Sequence, residues 1–251
     1  MVIMVIEISD FLSRVEASQY TIFTQKFHAS VSKTLNTFGG AIKNRDNNHY
    51  LVSFRSVVDA VHCAQEIQHK FKYVTPKHGS FSRRLKIGMC TTDDFNEKAI
   101  TLATRICEIV KDQVAITSEI KQLFEKATTH AQIDEAIFRV LKPTEETFLT
   151  QVMDVIEVHW NDPDFDVAAF CNASGLNYGQ LYWRLHKLTG KTPNNFIKEF
   201  RLHQAAVLLH NRQGSIAQIA NQSGFHSPTY FSECFLSKYG IRPSKYLQQH
   251  S

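Results

Sequence analysis

Apolar and polar positions change rhythm along this chain. Met1 to Ile6 are apolar without a break until Glu7, the pattern of a short strand rather than of a bilayer span. A helical stretch follows near residues 9–36. GGAIKNRDNNHYLVSF, residues 39–54, predicts a hairpin with its polar turn around Asp46–Asn48. Over Ser56–Val74, Val57, Val58, Val61, Ala64, Ile67 and Phe71 share one helical stripe. A loop with Pro76 and Gly79 leads to a strand at Arg84–Cys90. A helix near Lys98–Lys111, a strand at Gln113–Ile116 and a helix at Ser118–Lys126 come next. The order βαββαβ with added elements predicts a ferredoxin-like α+β sandwich.

The last third has a different grammar, and it repeats. DVAAFCNASGLNYGQLYWRLHKLTGKTPNNF begins at Asp166, and SIAQIANQSGFHSPTYFSECFLSKYGIRPSKY begins at Ser215. The copies stay in step at Gly175/Gly224, Leu181/Phe231, Leu185/Phe235, Gly190/Gly240 and Pro193/Pro243, with one extra residue in the second turn. Each copy predicts a helix–turn–helix. Val167–Ala173 and Ile216–Gln222 are short first helices. Gly175 and Gly224 suit the left-handed turn. Asn177 and Ser227 suit the N-cap of the second helix. Leu181/Leu185 and Phe231/Phe235 form its buried stripe. Gly179, Tyr182, Trp183 and His186 then face outward in the first copy, and Thr229, Ser232, Glu233 and Leu236 in the second. Between them, Thr192–Asn211 predicts a connector helix with Pro193 at its first position. Eighteen or so helical residues span about 27 Å, close to one turn of B-DNA at about 34 Å.

Charge points the same way once it is divided. The 251 residues carry +4 overall. Residues 1–145 hold 19 basic and 16 acidic residues, residues 146–170 hold six acidic and no basic ones, and residues 171–251 hold nine basic and two acidic ones. Positive charge gathered in the repeat implies a polyanionic partner, double-stranded DNA above all. Lys187, Lys191, Lys238, Arg242 and Lys245 are candidates for phosphate, and Gln180, Tyr182, Trp183, Arg184, His186, Thr229, Ser232 and Glu233 for base edges. A core position for Trp183, and a structural ion pair for Arg201, are the plainer readings of those two. Five scattered cysteines lack metal-ligand spacing, so zinc is not expected. No cofactor is expected. The N-terminus lacks a basic leader and a cleavage site, so a cytoplasmic, non-membrane protein is expected.

These residues resemble the AraC/XylS family of bacterial transcription regulators over about residues 149–248. The matching pieces are LYWRLHKLTGKTPNNFIKEFRLHQAAVLL, SIAQIANQSGF, SPTYFSECFLSKYG and RPSKY. The resemblance implies seven helices carrying two helix–turn–helix units on an extended, asymmetric DNA site. Trp183 stands where the family often carries a basic residue, and Glu233 and Leu236 stand where it usually carries arginine or lysine, which implies fewer phosphate contacts from the second unit.

Residues 3–125 resemble the class III nucleotide cyclase domain, through IEISDF, the GG…F hairpin, SVVDAVHCAQEIQ, RLKIGM, ITLATRICEIV and VAITSEI. The resemblance implies a degenerate site. The two metal-holding carboxylates fall at Glu7 and Asn48, and a neutral amide is a poor ligand for a hard cation. The purine-recognising lysine falls at Asn44, beside Lys43. An asparagine–arginine pair falls at Thr101 and Arg105, and Asp94 remains. Each missing group removes several kcal/mol of transition-state stabilisation at about typical values, so no turnover is expected.

The reading is therefore α+β: a ferredoxin-like, nucleotide cyclase-like sandwich at 1–145, then an all-α seven-helix double helix–turn–helix domain at 146–251. The expected function is a sequence-specific DNA-binding regulator, homodimeric through an inactive N-terminal domain that holds a nucleotide, a small anion or nothing. An active cyclase fused to a DNA reader is the alternative.

Overall fold

The computed structural model describes residues 1–9, 17–46, 49–74, 84–111, 114–129 and 131–249. Two compact units divide between Leu149 and Thr150.

The first unit is built on a six-stranded sheet in the order β2-β3-β1-β4-β5-β6. Its strands are β1 (Val2–Ser9), β2 (Ala41–Arg45), β3 (His49–Phe54), β4 (Arg84–Thr91), β5 (Val114–Thr117) and β6 (Phe138–Leu141). β1 lies between β3 and β4, antiparallel to both, and β2 pairs antiparallel with β3. With α1 (Ala17–Thr37) after β1 and α2 (Val57–Val74) after β3, this is the split βαββαβ arrangement. α3 (Glu97–Ile109) and α4 (Ser118–Ala127) lead to β5 and β6, which extend the sheet in parallel.

Alternation along β1 sets the layers. Val2, Met4, Ile6 and Ile8 join Phe27, Val31 and Leu35 of α1, Ala60, Ala64 and Ile67 of α2, and Ile120 and Phe124 of α4 in one core. α3 packs on β1 and β4 from the other face. Gly88 allows its close approach, since a Cβ there would collide with Ala103 O and Cys107 N. Burial pushes the Cys63 and Cys90 thiols up to about 12, so neither is a ready nucleophile.

α5 (Pro143–His159) starts in the first unit and ends in the second. Its first turn is fastened to β6 and to the start of α4. Arg139 Nη2 of β6 donates to Glu145 Oε1 at 2.7 Å, and Ser118 N donates to Glu146 Oε1 at 3.2 Å. The remaining helices are α6 (Val167–Ser174), α7 (Tyr178–Thr189), α8 (Pro193–His210), α9 (Ile216–Gln222), α10 (Pro228–Tyr239) and α11 (Pro243–Gln249). Leu202, Ala205, Leu209, Ile219, Phe225, Phe231, Phe235 and Tyr246 form one core around the end of α8.

The predicted elements recur with small shifts. β6, α5 and α11 were not placed among them. Of the predicted helix near 9–36, residues 10–16 lie outside the described part, as do residues 47 and 48 of the hairpin turn, Asn48 included.

Candidate nucleic-acid interface

Local chemistry builds each helix pair. Asp166 accepts from Ala169 N at 2.8 Å and starts α6, and Gly175 ends it at φ 66°. Asn177 accepts from Gln180 N at 2.9 Å while Gln180 Oε1 accepts from Asn177 N at 3.2 Å, a capping box that opens α7. The second pair repeats the plan. Ser215 and Gln218 form a capping box for α9, Gly224 carries the turn at φ 72°, and Ser227 accepts from Tyr230 N at the start of α10. Asn177, Gln180 and Ser227 thus use side-chain atoms on their own helix ends. A base or phosphate contact from them would share or displace those bonds.

The inner stripes are Leu181, Leu185 and Leu188 of α7 and Phe231 and Phe235 of α10, all buried. Outward, α7 presents rings. Trp183 is 64% exposed, so it is not a core residue. Lys187 Nζ lies 5.4 Å from the Trp183 ring centroid. Tyr178, Tyr182 and His186 follow one line of the helix, with centroids 5.9 Å apart at each step, the first pair tilted and the second stacked. Arg184 is half-buried beside them. Tyr178 was missed in the sequence, although its place one turn before Tyr182 was the available signal.

α10 presents a different surface. Thr229, Glu233 and Leu236 are exposed, and Ser232 turns its hydroxyl to Pro228 O at 2.8 Å. Tyr230, also missed, is exposed, and its hydrogen bond to Cys234 holds its hydroxyl above the usual tyrosine range. Neighbouring Lys245 and Arg242 are exposed.

Two of the lysines assigned to phosphate are already engaged. Lys191 Nζ lies 2.8 Å from Glu199 Oε2 of α8, and Lys238 Nζ lies 3.7 Å from the same oxygen. Burial raises the Glu199 carboxyl, but the two lysines outweigh it and hold it below the ordinary carboxylate range. Arg201 is structural, as expected, but not through an ion pair. It donates to Trp160 O at 2.8 Å, Asp162 O at 2.6 Å and Phe165 O at 3.0 Å. Its several donors are spread over three carbonyls of one loop. His226 Nε2 lies 3.5 Å from Asp164 Oδ1, while His203 and His210 are exposed on α8.

The N-terminal candidates do not converge within one chain. Glu7 is half-buried on β1, opposite His49 on β3 and Lys86 on β4. Lys86 in turn donates to Glu108 O and Val110 O, closing the end of α3. Asp94 lies exposed in the loop after β4, at the end of the sheet where Val2 pairs with Thr91. Five residues of strand, about 17 Å, separate those two levels. Thr101 is half-buried, and Arg105 is 8% exposed on the buried side of α3. In β2 the register shifts between Ile42 and Asn44, and Lys43 sits 5.3 Å from the Phe95 ring centroid. Asn44 accepts from Arg45 N. Among the described residues no group of His, Cys, Asp and Glu is arranged to hold a metal ion, and no helix is long and apolar enough to cross a membrane.

Residues 170–249 match the family of helix-turn-helix domains. Among curated proteins the chain is 33% identical over 160 residues to histidine kinase P4 of Formosa agariphila, covering 62% of this chain and 11% of that one. It is 26% identical over 139 residues to the HTH-type transcriptional regulator MtrA of Neisseria gonorrhoeae, covering 54% and 44%. The chain therefore spans less than half the length of either. A transcriptional regulator with an AraC-type DNA-binding domain from Chromobacterium violaceum is similar in structure, at 25% identity and TM-score 0.39, over 43% of this chain and 96% of that one.

Proposed function

We propose that this chain, whose last third is a helix-turn-helix domain of the AraC type, is a DNA-binding transcription regulator that reads a bipartite site from one polypeptide. The observation that carries this is the duplicated helix pair itself, with the outward face of α7 crowded by rings and cations. Tyr182, Trp183 and His186 offer surface for thymine methyls and polar atoms for base edges, and Lys187, Lys245 and Arg242 offer charge to phosphates. Selection of duplexes from a random pool by the purified protein tests it. An enriched sequence with two half-sites about 10 base pairs apart is expected, and no enrichment overturns the reading.

For the first unit, the split placement of Glu7 and Asp94 supports a homodimer. Residues at opposite ends of one sheet meet only if a second copy stands head to tail beside it. Such a degenerate cyclase-like interface would hold a nucleotide or another small anion without turning it over. The full chain should sediment at twice 28.7 kDa. With ATP or GTP and manganese it should form no cyclic nucleotide above a blank. Turnover that vanishes on Glu7→Ala would establish the rival reading, an active cyclase fused to a DNA reader. A cytoplasmic location follows from the proposed partner.

A further inference from the structure

Both reading helices end on the same side chain. Lys191 follows Gly190, which closes α7, and Lys238 stands in the last turn of α10. Their ammonium groups lie 2.8 Å and 3.7 Å from one oxygen of Glu199, in the second turn of the connector helix. Lys238 Nζ also donates to Glu199 O at 3.1 Å, and Tyr239 Oη donates to Leu202 O at 3.3 Å. The three charged side chains are only 21–34% exposed, so water competes with the bridge less than at an open surface.

We infer that Glu199 is a positioning residue that sets the spacing and rotation between the two half-sites this protein recognises. The inference rests on the proposal that α7 and α10 both enter DNA. A bipartite reader discriminates spacing only as far as its two heads are rigid toward each other. One base pair inserted between half-sites moves the second by about 3.4 Å and turns it by about 34°. α8 supplies the rod. Apolar packing fixes each pair to the rod, but the far end of each reading helix is pinned by a cation on Glu199. Removing the carboxylate frees the end of α7 and loosens that of α10, which keeps only the bonds of Lys238 to Glu199 O and of Tyr239 to Leu202 O.

A rival account makes Lys191 and Lys238 simple phosphate contacts that Glu199 partly masks. The two accounts diverge in measurement. If Glu199 only masks the lysines, its loss strengthens binding to every duplex alike and steepens the salt dependence. If it positions the heads, its loss weakens binding to the correctly spaced site and leaves wrongly spaced sites nearly unchanged.

The experiment is a competition titration of the full chain. Its probes are a duplex selected by the wild-type protein and versions with one base pair added or removed between the half-sites. Wild type should prefer the selected spacing by about 10-fold or more, in line with the cost of one mismatched contact. Glu199→Gln, with unchanged far-UV circular dichroism, should reduce that preference to about 3-fold or less. Lys191→Gln and Lys238→Gln should each reduce it in part, and they decide the matter should Glu199→Gln fail to fold. An undiminished preference in the folded variants overturns the role of Glu199 alone. A wild-type protein that selects no duplex overturns the DNA-binding reading and this inference with it.

Discussion

Arg201 leaves no room for a side chain at Gly224. A Cβ on that glycine would stand 2.8 Å from Arg201 Nε and 2.7 Å from Trp160 O. The arginine fork holds the loop from Trp160 to Phe165, and the turn of the second helix pair packs directly on the fork. Gly175, the matching turn of the first pair, has nothing within 4 Å of such a Cβ. Both glycines have positive φ, 72° and 66°. Gly175→Ala should therefore cost only the left-handed backbone, about 1–2 kcal/mol. Gly224→Ala should cost more, by about 1–3 kcal/mol of overpacking on top of that. Urea unfolding of both variants measures the difference, and equal midpoints would show that Arg201 and the backbone at Trp160 yield together.

The outward rings of α7 make a second expectation. Trp183→Ala should cost about 1–3 kcal/mol on the selected duplex and little on random DNA. Glu233→Ala should change the selected site little and tighten random DNA by removing a repulsive charge. Equal loss on both duplexes for Trp183→Ala would place that ring against phosphates.

Acid sensitivity should differ between two carboxylates. Burial lifts Glu146 above the ordinary carboxylate range, against its bonds from Ser118. A raised value favours the folded state at low pH and costs stability once pH rises through it. Glu146→Gln keeps an acceptor for Ser118 N, so it should raise the melting temperature at pH 7 by about 1–3 °C, with the gain vanishing near pH 4. Glu199 is shifted the other way. Its stabilisation is present above the unfolded value and is lost as pH falls through the lower folded one. Melting curves of wild type, Glu146→Gln and Glu199→Gln between pH 3 and 8 would show both signs.

The collision at Gly88 provides a fourth. Gly88→Ala pushes a methyl into the α3 backbone at Ala103 and Cys107, where no flexible side chain can yield. The variant should lose several kcal/mol, about 3 or more, and expose the face of β1 that α3 covers. A soluble variant with unchanged melting would mean that α3 can slide.

Where pattern was strong, the sequence already disclosed the fold. The stripe from Val57 to Phe71 and the repeat at Gly175 and Gly224 depend on local rules that survive folding unchanged. β6 escaped because four residues, with Arg139 among them, are too few to show alternation. α5 escaped because the acidic run from Glu146 to Asp166 dominated its composition, although Phe148, Leu149, Val152, Met153 and Ile156 keep a helical period and are all buried. Side-chain partners were the least visible part. Lys191 and Lys238 read as solvent-facing cations, because nothing local marks Glu199 as the acceptor of both.

The central place of β1 also governs when the first unit can form. Val2 pairs with Phe54 on one side and with Thr91 on the other. At roughly 5–20 residues per second on the ribosome, β1 waits about 5–20 s for its second neighbour to be made. Through that interval VIMVI is an apolar strand with an unpaired edge, open to other nascent chains. The helix pairs downstream close over short distances in sequence and face no such delay. Refolding should therefore show a fast helical phase and a slower one, and aggregation at high concentration should deplete the slower phase alone.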